Sequence, residues 1–219
     1  MPLLASATAF GDGPATGGTE YAEPGGPAGE SRLLSRRNEL LGSTLAFKGS
    51  LAGTQPGDTV EVQRLDRKAG WVPVTTTFVG AEGMFYATWR TDTIGRTTVR
   101  AVPAAIAGDA RAASIAPVRQ VTVFRSAIAT WYGPGFYGRA TACGRRMTTR
   151  LLGVAHPKLP CGTQVDLLYK GRSITVPVVD RGPFRPGTSW DLTRATARAL
   201  RFTATDTIGA VRVREAPAA

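Results

Sequence analysis

Two carboxylates define the chemistry to look for. Asp180 closes a strand-like run, Ile174 to Val179, and Asp191 stands just before a helix-like segment. Between them lies a basic loop shaped by Gly and Pro, running from Arg181 to Gly187. Acids placed this way suit general acid–base work, in which one side chain gives a proton and a carboxylate takes one. Each also has a plain structural reading. Asp180 suits an Asx-type cap on the Arg181-Gly182-Pro183 turn, and Asp191 suits bonds to backbone amides ahead of the helix. His156 is the only histidine, and its position before Pro157 fixes its backbone in an extended or turn conformation.

The elements that must hold these residues are bounded by length and composition. A chain of 219 residues, 42% hydrophobic, has room for one large domain or two small ones with packed cores. The net charge of +11 is uneven: residues 1–31 carry acids only, and the basic excess is largest after residue 126. Such a surface favours polyanions, namely nucleic acid, anionic lipid or an acidic wall polymer, or simply maintains solubility. No segment approaches the ~18 apolar residues of a membrane span, and no recognisable RNA- or DNA-binding motif is present. Cys143 and Cys161 with a single His do not make a tetrahedral zinc site, and no metal or cofactor is expected. A Cys143–Cys161 disulfide in an oxidising compartment is the expectation, with two reduced thiols the alternative.

Residues 1–31 are rich in Gly, Ala, Pro, Thr and Glu and read as a disordered leader or linker. Their first residues resemble the tail of a signal peptide. Ser31–Leu41 reads as a short basic helix or as extended chain. Residues 42–125 hold six stretches with alternation or β-branched enrichment, separated by turn signals such as QPGD, RKAG and GAEG. This spacing predicts an immunoglobulin-like β-sandwich. From Ser126 the pattern changes. Further strands are expected at Leu152–Ala155, Gln164–Tyr169 and Ser173–Val179, then a helix with Thr193 as N-cap, then a closing strand. About six strands in so short a segment predict a small closed barrel over 126–214.

Four ordered blocks carry a resemblance: ATWYGPGFYGRATACG at 129–144, GVAHPKLPCGTQV at 153–165, VVDRGPF at 178–184 and WDLTRATARAL at 190–200. Together they resemble the rare lipoprotein A (RlpA) family of double-psi β-barrels, in its cysteine-containing actinobacterial form. The resemblance implies an all-β chain: an N-terminal immunoglobulin-like sandwich, then a six-stranded double-psi barrel with one or two short helices. It also implies an extracytoplasmic, wall-associated protein acting on peptidoglycan glycan strands. In some members the activity is lytic transglycosylation, in which the muramyl C6 hydroxyl displaces the glycosidic oxygen and leaves a 1,6-anhydro end. Asp180 of DRGPF is then the leading candidate acid, and Asp191 of WDLT the second. Tyr132, Phe136 and Tyr137 suit stacking on sugar rings, or plugging a barrel end. His156, Arg139 and Arg181 suit sugar hydroxyls and substrate carboxylates, whereas a solvated basic face is the alternative for the arginines. Many family members carry an acid directly after the block that ends at Gly144, where this chain has Arg145 and Arg146. A wall-binding module of expansin type, with the same groove and no bond cleavage, is therefore the rival to the enzyme.

Overall fold

The computed structural model describes residues 30–213, apart from 111, 113 and 114. The leader expected over 1–31 lies outside the described residues, except for Glu30 and Ser31. Ser31–Leu41 takes the extended alternative. It forms β1 (Arg32–Ser35) and β2 (Asn38–Leu40), the first paired with β3 (Thr44–Ser50) and the second with β8 (Val118–Tyr132).

The six stretches of the first unit are all strands: β3, β4 (Thr59–Asp66), β5 (Gly70–Phe78), β6 (Phe85–Arg90), β7 (Gly95–Pro103) and the start of β8. Strict alternation decides which face is buried. In β6, Phe85, Ala87 and Trp89 point inward while Tyr86, Thr88 and Arg90 are exposed. The sheet β1-β3-β6 and the β5-β4-β7-β8 part of the larger sheet close over one core. Leu45, Phe47, Phe85 and Trp89 come from the first sheet, and Val60, Val62, Val99, Val121 and Val123 from the second.

The second core lies inside a closed ring of six strands. β8 pairs with β13 (Asp206–Arg212), which pairs with β10 (Gln164–Tyr169), β11 (Arg172–Asp180), β9 (Val154–Ala155) and β12 (Trp190–Thr193) in turn, and β12 returns to β8. Leu167, Val176, Val178, Leu192 and Ile208 fill it. One helix, α1 (Arg194–Leu200), packs Ala197 and Leu200 onto this core. Thr193 caps it, accepting from the Thr196 amide at 3.3 Å. The Thr196 hydroxyl in turn binds both the amide and the carbonyl of Gly153, at 2.9 Å each. That link fixes the helix to the approach to β9.

β8 joins the two units. Its fifteen residues run through both: Val118–Val123 pair with β7, and Arg125–Ala129 with β13. At the junction the strands come close. A Cβ on Gly209 would lie 2.8 Å from Phe124 Cβ and 3.1 Å from Leu168 Cβ, so no larger residue fits there. Arg96 of β7 also reaches Asp166 of β10, with Nε to Oδ2 and Nη2 to Oδ1 both at 2.7 Å.

Candidate active site

One lateral row of residues builds the site. Across four adjacent strands, Asp180 of β11 pairs with Ala155 of β9, Ala155 with Asp191 of β12, and Asp191 with Thr130 of β8. Register alone would leave Asp180 on the same face as Val178, which is inside the core. A β-bulge between Val178 and Asp180 prevents this: Val178 faces Val154, but Asp180 faces the next residue, Ala155. The extra residue turns the Asp180 carboxylate outward, as bulges beside functional sites do. The carboxylates thus share the outer surface, with β9 between their strands and their backbones about 10 Å apart at two strand spacings.

Asp180 is held from three sides. Oδ1 accepts the amides of Ala142 and Arg181, both at 2.8 Å. Oδ2 accepts the Tyr132 hydroxyl at 3.1 Å. Burial, the charge of Asp180 and its hydrogen bond, and the charge of Asp191 push the Tyr132 phenol far above its ordinary value, so it stays a donor. Asp191 accepts the Thr130 hydroxyl on Oδ1 at 2.8 Å. Burial raises its pKa to about 6, against the Thr130 bond, and the Asp180 charge adds to the rise.

The neighbouring residues expected from the sequence divide into groups. Phe136 packs edge-on to Tyr132, with centroids 5.8 Å apart, and is 48% exposed, so an aromatic face stands open beside the acids. Tyr137 lies with its hydroxyl against Gly133, close to Arg194 at the start of α1. Arg181 Nη1 lies 3.4 Å from the Asp180 carbonyl and 3.8 Å from Cys143 Sγ, which places it at the disulfide. Arg139 joins the same loop through its backbone, which accepts from the Met147 amide, and its side chain is exposed. Cys143 and Cys161 are bonded, tying the loop that presents the Ala142 amide to the turn before β10.

His156 takes a different position. Its backbone amide donates to the Asp180 carbonyl at 3.2 Å. Its Nδ1 accepts the amides of Lys158 and Leu159, at 3.1 and 3.0 Å, which puts the ring proton on Nε2. Burial, then Arg181 and Lys158, lower its pKa, and the ring leans on Trp190 with centroids 4.5 Å apart. His156 is therefore a neutral donor at the edge of the site.

Nothing in the sequence marks Thr130 or the Ala142 amide, although each bonds one acid. Phe184, 82% exposed at the end of DRGPF, is marked in the sequence only as an aromatic directly after a Gly-Pro turn.

Residues 125–214 match the family model described as lytic transglycolase. A protein of Synechocystis sp. named "Probable endolytic peptidoglycan transglycosylase RlpA" is 41% identical over 108 residues, covering 48% of this chain and 33% of its own. The endolytic peptidoglycan transglycosylase RlpA of Campylobacter jejuni is 40% identical over 82 residues, covering 36% of this chain and 30% of its own. The chain thus spans about a third of the length of the curated relatives it matches. Among solved structures, the Streptomyces papain inhibitor is 28% identical, covering 40% of this chain and 93% of its own, at a TM-score of 0.31. On the four motif blocks, the closed six-stranded ring, the family model and the two RlpA relatives, residues 125–214 form an RlpA-like double-psi β-barrel domain.

Proposed function

We propose that the barrel cleaves peptidoglycan glycan strands as a lytic transglycosylase, with Asp180 and Asp191 working as a unit. The observation that carries this is the row itself: two carboxylates on one outer face, flanking Ala155, both near Tyr132. Asp191, with a pKa near 6, holds the proton and gives it to the glycosidic oxygen as the C1–O bond breaks. The muramyl C6 hydroxyl oxygen then bonds to C1, and its proton passes to the Asp191 carboxylate, which restores the acid without consuming water. Asp180, fixed by three bonds, faces the positive charge that develops on the sugar ring. Tyr132 and Phe136 supply the surface on which a ring stacks.

The residues before the barrel are assigned as an immunoglobulin-like sandwich over 42–125, acting as a spacer or wall-binding unit. The Cys143–Cys161 bond supports an extracytoplasmic, wall-associated location. Among the described residues, no helix is long and apolar enough to cross a membrane. A non-cleaving, expansin-like module is the second reading, favoured by exposed Arg145 and Arg146 where the family resemblance leads one to expect an acid.

Digestion of purified glycan strands, with products identified by mass spectrometry, tests the proposal. Anhydromuramyl ends that disappear in both Asp180→Asn and Asp191→Asn support the enzyme. Binding to sacculi with no product at any protein load leaves the binding module.

A further inference from the structure

A cleft of about 720 Å3 lies where the two units meet, beside the candidate active site. Its floor is the shared strand at Arg125–Ala127, the end of β13 at Ala210–Arg212, and Trp190. One wall is the end of β4 and the turn that follows it, Arg64–Lys68. The other includes His156 and Leu159. Six cationic side chains line it, Arg64, Arg67, Lys68, Arg96, Arg125 and Arg212, against one carboxylate, Asp66. Arg96 is engaged by Asp166 and Arg64 by Asp66, at 2.7 and 3.1 Å. Arg64 Nε is buried and makes no hydrogen bond among the described residues, although it lies 3.8 Å from Asp92 Oδ1. Arg67, Lys68, Arg125 and Arg212 are exposed and lie in no ion pair among the described residues. Cations gathered in one cleft and outnumbering its acids repel one another and favour an anionic occupant.

We propose that this cleft is a second binding site for the glycan strand, and that it reads the carboxylates repeated along a muramyl polymer. The inference rests on the substrate class proposed above. Continuity with the acids favours the glycan over another polyanion. His156 connects the two places: its amide binds the Asp180 carbonyl, and its ring, packed on the buried Trp190, lines the cleft. A strand held at the carboxylate pair and continuing past His156 enters the cleft. Sugar faces rest on Leu159 and on the half-buried His156 ring, which covers the buried Trp190, and substrate carboxylates meet Arg67, Lys68, Arg125 and Arg212. The first β unit then supplies half of a substrate groove.

The test uses the full chain with Arg67, Lys68 and Arg212 all changed to Gln. These residues are exposed and unpaired, so the fold should tolerate the changes, and circular dichroism checks it. Affinity is measured for stem-peptide-free muramyl glycan strands, for uncharged chitin oligomers of equal length, and for a ribitol-phosphate polymer. The expected result is roughly tenfold weaker binding of muramyl strands at low salt, a shallower salt dependence, and unchanged chitin binding. Muramyl strands bound equally by parent and variant, or muramyl and chitin strands bound alike by the parent, would overturn the proposal. So would tighter binding of the ribitol-phosphate polymer than of the glycan. Binding is read without turnover. Muramyl binding that depends on the cleft but yields no cleavage would sink the transglycosylase reading and leave this one standing.

Discussion

The Tyr132 hydroxyl donates to Asp180 Oδ2 at 3.1 Å, joining the end of β8 to the end of β11 across 48 positions of sequence. The phenol thus touches one acid directly while feeling the charge of the other. Removing it leaves the Asp180 backbone contacts intact and takes away a bond to a charged group. Tyr132→Phe should lower kcat on glycan strands roughly ten- to hundredfold with little change in KM. The Phe136 contact survives in this variant, so the melting temperature should move by only a few degrees. A fall in KM-dependent binding with kcat preserved would show that Tyr132 serves as a stacking surface only.

Asp191 makes stability depend on pH in a direction opposite to most carboxylates. Its folded pKa, about 6, lies above the unfolded value of 3.8, because burial penalises the charged form. The favourable contribution is therefore complete below about pH 3.8 and is lost as pH rises through about 6. Asp191→Asn keeps a partner for the Thr130 hydroxyl and does not titrate. Relative to the parent it should gain about 2 kcal/mol between pH 4 and pH 8, after allowance for partial exposure. Urea unfolding at the two pH values measures this, and an equal difference at both would refute the assignment. The same variant should lose cleavage, whereas the parent's kcat should fall above pH 6 as the proton is lost.

Much of the fold can be read from side-chain periodicity, since one face of each strand is buried. Alternation locates β3 to β7, and Thr193 with the small and apolar residues after it locates α1. The Ser31–Leu41 segment stays ambiguous in sequence because its charges suit a helix, while its pairing with β3 and β8 comes from distant residues. A composition change at Ser126 gives no sign that the backbone continues as one strand through both units. The acids are legible because their motifs are. Their geometry is not. The bulge at Val178/Asp180 is a one-residue register shift set by β9, and the partners of the acids, Thr130 and the Ala142 amide, lie 61 and 38 positions away.

The disulfide should support activity as well as stability. It closes an 18-residue separation, worth about 3 kcal/mol in the chain-entropy picture. Cys143 directly follows Ala142, whose amide holds Asp180 Oδ1. Cys143→Ser with Cys161→Ser should lower the midpoint of thermal unfolding and, below that midpoint, also reduce kcat. A variant with reduced stability and full activity at low temperature would show that the loop keeps its place without the bond.

The pair Arg96–Asp166 should couple the two units energetically. It is bidentate, with Asp166 buried and also bonded by the Thr175 hydroxyl at 2.6 Å, and Arg96 partly exposed. Truncating Arg96 leaves a buried carboxylate with one neutral donor, so Arg96→Gln should cost about 1–3 kcal/mol of unfolding free energy. Asp166→Asn should cost less, because it removes the charge that needs compensation. A double-mutant cycle should return a coupling of about 1 kcal/mol or more, the lower figure reflecting solvent at the Arg96 side. Arg96 also lines the cleft between the units. If the pair holds that cleft in shape, Arg96→Gln should weaken muramyl strand binding beyond the loss of one charge, and Asp166→Asn, which adds no negative charge and frees the guanidinium, should weaken it too. Tighter binding in Asp166→Asn would mean that Asp166 only competes with the glycan for Arg96, and that the shared strand β8 fixes the arrangement of the units without help from the ion pair.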